Sequence, residues 1–297
     1  MFVYICRYFK CMNDKLATRM IHIFPFSLIF FFIGCNEIEK PEKPITVNIV
    51  ANKIDSNKTI VRDSFIPTAI NYDTTKKYIY LSFDDGPQPG TTACVDVLKK
   101  LGIKATFFMV GQHASSQHLK QIVKDIKYSY PQILLANHST THASGKYKYF
   151  YHHEQMALQD FLQAQQTLSV PYKIIRLPGN TSWVRTGEVR ASNLTKPVCK
   201  LLDSVGYNVM GWDVEWRFNR RTAYPIESAE KMVKIVANTF AENDVNQKNH
   251  LVILAHDRMF RNPSYTDSLT KFIYLLKENK NYVFETLDHY PNLKKLR

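Results

Sequence analysis

Short apolar runs alternate with amphipathic segments from about residue 78 to the end of the chain. Seven runs rich in β-branched and aromatic residues predict buried strands at Tyr78–Phe83, Ala105–Val110, Ile133–Asn137, Ile174–Leu177, Asn208–Trp212, Leu251–Ala255 and Tyr282–Phe284. Apolar residues recur at helical spacing in Thr92–Leu101, His153–Leu168, Lys196–Val205, Glu227–Ala241 and Ser264–Glu278. Because strands that alternate with helices form a parallel sheet covered by those helices, the pattern predicts an α/β fold.

Two adjacent carboxylates end the first predicted strand. Asp84 and Asp85 follow an apolar run and precede the turn formers Gly86 and Pro87. Neighbouring carboxylates repel each other, so a site that keeps both ionised usually gives one to a cation and leaves the other as a base. An Asp-Gly-Pro turn without any chemistry is the alternative interpretation.

A pair of histidines follows the third predicted strand. His138 and His142 are four residues apart, a spacing that can turn two imidazoles in one direction in a helical turn. The spacing alone is a weak signal, and its position after a strand strengthens it. One Asp and two His leave coordination positions open on a divalent cation, which a catalytic site requires and a structural site does not.

Later strands also end in polar groups, within the segments Ile174–Asn180, Val209–Trp216 and Leu251–Asp257. Each segment alone fits a structural role equally well, as a surface ion pair, a core tryptophan or a satisfied histidine. Together, five successive strand-like runs deliver polar side chains at the same end. This joint pattern favours an active site there.

These ordered segments resemble the five motifs of the polysaccharide deacetylases, carbohydrate esterase family four. The motifs are Ser82-Phe83-Asp84-Asp85-Gly86-Pro87, the pair His138 and His142, Arg176-Leu177-Pro178, Trp212-Asp213 and Leu254-Ala255-His256, and the second strand, Ala105–Gly111, is also similar. The resemblance extends from about Tyr78 to the C-terminus. It implies a distorted (β/α) barrel with about seven parallel strands, and chemistry at their carboxyl ends.

The resemblance also implies a role for each motif residue. Asp85, His138 and His142 would hold one divalent metal ion, with zinc expected and cobalt or nickel compatible with the same ligands. Asp84 would be the base that activates water, and Arg176 would orient it.

Four further roles follow from the same resemblance. A backbone amide near Gly179 would stabilise the oxyanion, and His256 would protonate the leaving nitrogen. Trp216 would line the acetyl pocket, and Asp213 would contribute to the same part of the site. The implied reaction is hydrolysis of an amide bond, which removes N-acetyl groups from an amino-sugar polysaccharide or oligosaccharide of the bacterial envelope or its surroundings.

Two motifs depart from the family pattern. An aromatic residue usually follows the third motif, whereas this chain has Gly179 and Asn180, so Trp183 is the candidate replacement platform. The usual second Asp-Trp pair of the fourth motif is replaced by Phe218 and Asn219. The carboxylate that orients His256 must then come from Asp213, Glu215 or Asp257. We therefore expect a working enzyme with an unusual substrate preference.

Two other functions are compatible with the same residues. An O-acetyl esterase acting on a glycan such as xylan would use the same metal and base, and would need the acid histidine less. A tethered glycan-binding barrel without turnover is favoured by the altered motifs and disfavoured by the intact Asp84, Asp85, His138, His142 and His256.

The N-terminal segment has the features of a secretory leader. Lys15 and Arg19 precede the short apolar stretch Ile21–Ile33, which ends in Gly34-Cys35. This end resembles a bacterial lipobox, which predicts a lipoprotein signal peptide over residues 1–34 and a lipid anchor at Cys35. Phe32 is uncommon at its lipobox position, so an uncleaved anchor is the alternative. Residues 35–75 then form a tether, residues 76–297 form the catalytic barrel, and the enzyme lies in the bacterial cell envelope, facing outside the cytoplasm.

Charge and cysteine content narrow the partners. The net charge of +13 falls to +10 if the leader, with its four basic residues and one acidic residue, is removed. That excess of positive charge favours binding to anionic envelope polymers. Nucleic acid is a poor alternative partner, because the sequence has no platform of basic and aromatic residues. Cys94 and Cys199 lie on predicted helices that follow different strands, so no disulfide is expected between them. We expect a monomer.

Overall fold

The computed structural model describes residues 70–297. The predicted signal peptide, Cys35 and nearly all of the tether lie outside the described residues, and those predictions stay untested. Within residues 70–297, none of the helices is both long enough and apolar enough to cross a membrane.

One curled sheet forms the centre of the fold. Its strands are β1 (Lys77–Gly86), β2 (Ala105–Met109), β3 (Ile133–Asn137), β4 (Ile174–Ile175), β5 (Trp183–Arg185), β6 (Glu188–Arg190), β7 (Asn208–Val209), β8 (Val214–Glu215), β9 (His250–His256) and β10 (Tyr282–Phe284). Their order across the sheet is β6-β5-β7-β4-β3-β2-β1-β9-β8, and β10 pairs with the amino end of β1. All pairs are parallel except those of the β5–β6 hairpin, which is antiparallel within itself and to β7. The predicted distorted (β/α) barrel is confirmed.

Helices cover the outer face of the sheet. They are α1 (Thr91–Leu101), α2 (Gln117–Lys127), α3 (Tyr147–His152), α4 (Glu154–Thr167), α5 (Lys196–Ser204), α6 (Ala229–Glu242) and α7 (Pro263–Glu278). Most of these begin at residues suited to helix starts: the Ser228 hydroxyl accepts the Lys231 N–H at the start of α6, and Pro263 opens α7.

Alternation along β1 separates the two faces of the sheet. Ile79, Leu81 and Phe83 belong to the main apolar core, in which the sheet packs against α1, α2, α6 and α7. Tyr78 and Tyr80 belong to a separate cluster that fills the inside of the barrel. By the same period of two, Ser82 and Asp84 face the interior near its carboxyl end.

Several elements of the structure were not predicted from the sequence. The hairpin formed by β5 and β6, the two-residue strand β8, and the helices α2 and α3 were not predicted. Cys94 and Cys199 are both buried and do not form a disulfide with each other.

Candidate active site

An irregularity at the end of β1 brings both aspartates into the same site. The pairing of β1 with β2 shifts between Asp84 and Gly86, so two residues of β1 advance against one residue of β2. Asp85 is the extra residue, and its backbone is left-handed, with φ of 74°. In a regular strand, neighbouring side chains point to opposite faces. The bulge removes that alternation, and the carboxylates of Asp84 and Asp85 both approach the His138 ring.

Asp85, His138 and His142 present one ligand atom each to a common point, and these atoms lie within 4.8 Å of one another. Asp85 Oδ1 is 3.5 Å from His138 Nε2 and 3.1 Å from His142 Nε2. The histidines are not on a regular helix: His138 follows β3 directly, and His142 has a left-handed backbone, with φ of 50°. A tight turn therefore brings the two rings together.

Two observations show that this cluster suits a divalent cation. Asp85 Oδ1 is buried and has no hydrogen-bond partner among residues 70–297. His138 donates its Nδ1 proton to the carbonyl oxygen of Arg176 at 2.9 Å, which leaves the lone pair of Nε2 directed at Asp85. Burial opposes ionisation of Asp85, but His138 and His142 outweigh it and hold its pKa well below the usual value. A carboxylate and two imidazoles are a common ligand set for zinc and related metals.

Arg176 holds Asp84 and the neighbouring strand ends together. Its guanidinium is fully buried, and Nη1 donates to Asp84 Oδ1 at 2.9 Å and to Ser82 Oγ at 2.8 Å. Nε and Nη2 donate to the carbonyl oxygens of Met210 and Gly211, at 3.0 and 2.9 Å. The cation also lies 4.2 Å above the Phe108 ring. Asp84, only 3% exposed, is thereby fixed with its second oxygen facing the site.

His256 approaches the cluster from the end of β9. Its Nε2 lies 3.8 Å from Asp85 Oδ2. The other nitrogen, Nδ1, is buried, and no group in the described part of the chain forms a hydrogen bond with it. The Phe218 ring packs edge-to-face on the imidazole with centroids 4.8 Å apart. Burial lowers the pKa of His256, and Asp85 and Asp84 oppose that effect. An aromatic ring thus stands beside this histidine where the family usually has a carboxylate.

The three carboxylates expected to orient His256 are engaged elsewhere or make no contact with Nδ1. Asp213 accepts the backbone N–H groups of Asn246 and Val252, both at 2.7 Å. Asp257 accepts hydrogen bonds from Gln88 and Thr91, and burial raises its pKa to about 7. Glu215 is exposed in the pocket. It does not orient His256 either, because Nδ1 of His256 has no hydrogen-bond partner among the described residues.

Two tryptophan assignments from the sequence are wrong. Trp216 is fully buried, donates its indole N–H to the carbonyl oxygen of Glu227, and packs on Phe260 and Phe272. Because Glu215 on the same extended segment faces the pocket, its neighbour Trp216 points away. Trp183 is also buried and stacks inside the barrel on Tyr290. Neither lines the pocket, and Asp213, bound to two backbone amides, does not line it either.

Gly179 does line the pocket. Its φ is +62°, and a Cβ there would come within 3.0 Å of the Tyr147 ring. Its N–H makes no hydrogen bond within residues 70–297, so it is free to donate to a substrate oxygen. A larger residue would displace Tyr147, whose ring also packs edge-to-face on His142 at 5.8 Å.

The pocket above these groups has a volume of about 810 Å³. Its walls include residues that sequence analysis did not single out for this role: His113, Tyr147, Trp212, Phe218, Arg217, Arg220, Ile226 and Arg258. His113 follows β2, and its Nδ1 donates to the carbonyl oxygen of Asp85. A polar residue soon after the second strand was the available signal for His113. The long polar segment after β8 was the corresponding signal for the arginines.

Comparison with known proteins finds one matching family and similar enzymes. The polysaccharide deacetylase family matches residues 71–206. The protein YheN of Bacillus subtilis is 27% identical over 272 residues, which cover 88% of this chain and 87% of that protein. A peptidoglycan-N-acetylglucosamine deacetylase of Bacillus cereus is 25% identical over 266 residues, which cover 86% of this chain and 84% of that enzyme.

A solved structure agrees in fold. The catalytic domain of a peptidoglycan N-acetylglucosamine deacetylase from Eubacterium rectale superposes with a TM-score of 0.54 at 26% identity, covering 78% of this chain and 97% of that domain. Taken with the ordered motifs and the barrel, these similarities show that the chain is a hydrolase whose residues 71–206 match the polysaccharide deacetylase family.

Proposed function

We propose that this chain is a metal-dependent deacetylase that removes N-acetyl groups from an amino-sugar polysaccharide or oligosaccharide. The observation that carries the proposal is the meeting of three ligand atoms, from Asp85, His138 and His142, beside the Asp84–Arg176 pair. The names of the relatives support an N-acetylated sugar as the substrate class.

Asp84 acts as the base in this proposal. A divalent cation held by Asp85, His138 and His142 would act as a Lewis acid and make a water molecule easier to deprotonate. Asp84 accepts the proton of the attacking water, and its Arg176 bond at 2.9 Å keeps the acceptor oxygen aimed at the site. Because Arg176 has four protein acceptors, it stays in place while Asp84 changes protonation.

His256 and Gly179 act on the other side of the scissile bond. The free N–H of Gly179 donates to the oxygen that gains negative charge. His256 Nε2 gives a proton to the sugar nitrogen, since an amine leaves slowly as an anion. The Phe218 ring restricts the orientation of the imidazole by packing, whereas no carboxylate of the described segment 70–297 binds Nδ1.

Acetate release from N-acetylglucosamine oligosaccharides tests this function. We expect release that stops on treatment with a chelator and returns when zinc, cobalt or nickel is added. Asp84→Asn should abolish turnover and keep the metal, because the ligand Asp85 is unchanged. Metal-independent release, or full activity of Asp84→Asn, would contradict the proposal.

O-acetyl ester hydrolysis is the second candidate function. The observation that favours it is the unpartnered Nδ1 of His256, because an ester alkoxide needs less help from an acid than an amide nitrogen does. Matched N- and O-acetylated sugars, compared by kcat/KM, decide between the two.

We also propose that the protein is anchored at Cys35 and works outside the cytoplasm. The support is the basic segment followed by the apolar run that ends in Gly34-Cys35. Mass spectrometry of the native protein should find a mature chain that begins at a lipid-modified Cys35. A chain that retains the leader, with unmodified Cys35, would refute cleavage and lipidation.

A further inference from the structure

Three arginines line the same pocket as the candidate metal ligands. Arg217 and Arg220 lie on the segment between β8 and α6, and Arg258 lies on the short 3₁₀ turn after β9. Arg261 Nη2 donates to the carbonyl oxygen of Thr222 at 2.9 Å and ties the two segments together. The arginines are therefore part of one connected wall.

The charges of these arginines are not all balanced within the protein. Arg217 is paired with the buried carboxylate of Glu227, through Nε at 2.9 Å and its own backbone N–H at 3.1 Å. Across the part of the chain that the structure describes, neither Arg220 nor Arg258 forms an ion pair. Besides the two catalytic aspartates, Glu215 is the acidic side chain of the lining. The wall thus keeps excess positive charge.

Contacts indicate where the two unpaired cations lie. The Arg258 guanidinium lies 5.7 Å from the centre of the Phe218 ring, which itself packs on His256. Arg220 and Tyr147 line the same pocket. Tyr147 in turn contacts His142 and Gly179. Arg258 therefore lies one side chain away from His256, and Arg220 lies on the lining of the pocket that contains the reacting groups.

We propose that Arg220 and Arg258 bind a carboxylate on the sugar next to the N-acetylated sugar, so that the preferred substrate is an acidic glycan. This inference rests on the proposed deacetylase function. A guanidinium matches the two oxygens of a carboxylate, and within residues 70–297 neither arginine is paired with a carboxylate of the protein. Because the Phe218 ring stands between Arg258 and His256, this arginine suits a group on a neighbouring sugar ring rather than the reacting acetamido group.

Paired substrates provide the test. An oligosaccharide that alternates N-acetylglucosamine with a carboxylate-bearing sugar is compared with the same compound after reduction of its carboxyl groups to alcohols. Uronic acid and lactyl ether versions form separate arms and distinguish the source of the carboxylate. The metal-loaded full chain should prefer at least one acidic compound by about tenfold in kcat/KM, mainly through KM, and about 0.5 M salt should remove most of that preference.

The double variant Arg220→Gln, Arg258→Gln should lose the preference, lowering the ratio of acidic to neutral kcat/KM to about one. Arg221→Gln is the matched control, because Arg221 lies on the same segment, is exposed and does not line the pocket. The control should keep the wild-type ratio. An unchanged ratio in the double variant, or an equal loss in the control, would overturn the inference.

Binding measurements separate this inference from the proposed function. Dissociation constants of both compounds are measured by calorimetry with the Asp84→Asn chain, with and without the arginine substitutions. If no compound is deacetylated, the proposed function fails, and the dissociation constants still decide the inference. Tighter binding of an acidic compound that depends on Arg220 and Arg258 supports it, and equal binding of acidic and neutral compounds refutes it.

Discussion

Replacement of Arg176 by lysine should destabilise the fold strongly although the positive charge is kept. The guanidinium is fully buried and donates to Asp84, Ser82 and the carbonyl oxygens of Met210 and Gly211. A lysine ammonium that remains at Asp84 is a compact point charge and cannot also reach the two carbonyl oxygens. Each buried acceptor left without a donor costs about 1–3 kcal/mol, so the loss should be about 2–6 kcal/mol.

Urea unfolding followed by circular dichroism measures this loss. The midpoint should fall while the dependence of free energy on urea stays unchanged, because the exposed surface of the unfolded chain is the same. Arg221→Lys, at an exposed position, is the control and should change the free energy of unfolding by less than about 0.5 kcal/mol. If Arg176→Lys unfolds at the same urea concentration as this control, the buried hydrogen bonds do not stabilise the strand ends and the reasoning fails.

Three other predictions concern the metal, the acid and the pH dependence of stability. His138→Ala and His142→Ala should each lower the bound metal measured by atomic emission, whereas the exposed His152→Ala should not; full occupancy in the double His138, His142 variant would exclude these ligands. His256→Ala should slow N-deacetylation by about 10²–10⁴-fold and O-deacetylation by clearly less, and equal losses would show that His256 positions substrate instead of donating a proton. Burial raises the pKa of Asp213 to about 6, so the folded state binds this proton more tightly than the unfolded state between pH 4 and 6. Stability from this residue should therefore fall as pH rises through that range, and Asp213→Asn should remove that slope in urea unfolding; an unchanged slope would contradict the assignment.

The strands of the barrel were predictable because their sequences leave little alternative. Runs such as those at β1, β3 and β9 are short, apolar and rich in residues that suit a sheet. Helix α2 carries a comparable signal, because Leu119, Ile122, Val123 and Ile126 recur at helical spacing, although only Val123 and Ile126 of its residues are buried. Strands β5 and β6 have three residues each, too few for a period of two to be recognised.

Within the site, the position of a residue at a strand end was a better guide to its role than the expected direction of its side chain. The structure brings together six residues that lie at or soon after the carboxyl ends of strands: Asp84, Asp85, His138, His142, Arg176 and His256. The predicted direction of the Trp216 side chain was wrong because the short strand β8 was not predicted. The alternation of side chains along this extended segment turns the indole into the core. The exchange of a carboxylate for Phe218 was visible in the sequence, but its packing on His256 depends on a loop whose path no local pattern specifies.

The extra residue at Asp85 makes the chemistry of the site sensitive to chain length as well as to side-chain identity. Removing one residue here would do more than delete a ligand, because it would restore the regular pleat of β1 and shift the turn that starts at Gly86 by one position. Conversely, grafting the two aspartates onto a regular strand of another protein would place them on opposite faces of its sheet. Anyone who transplants this site must therefore copy an insertion in the backbone first, and the residues second.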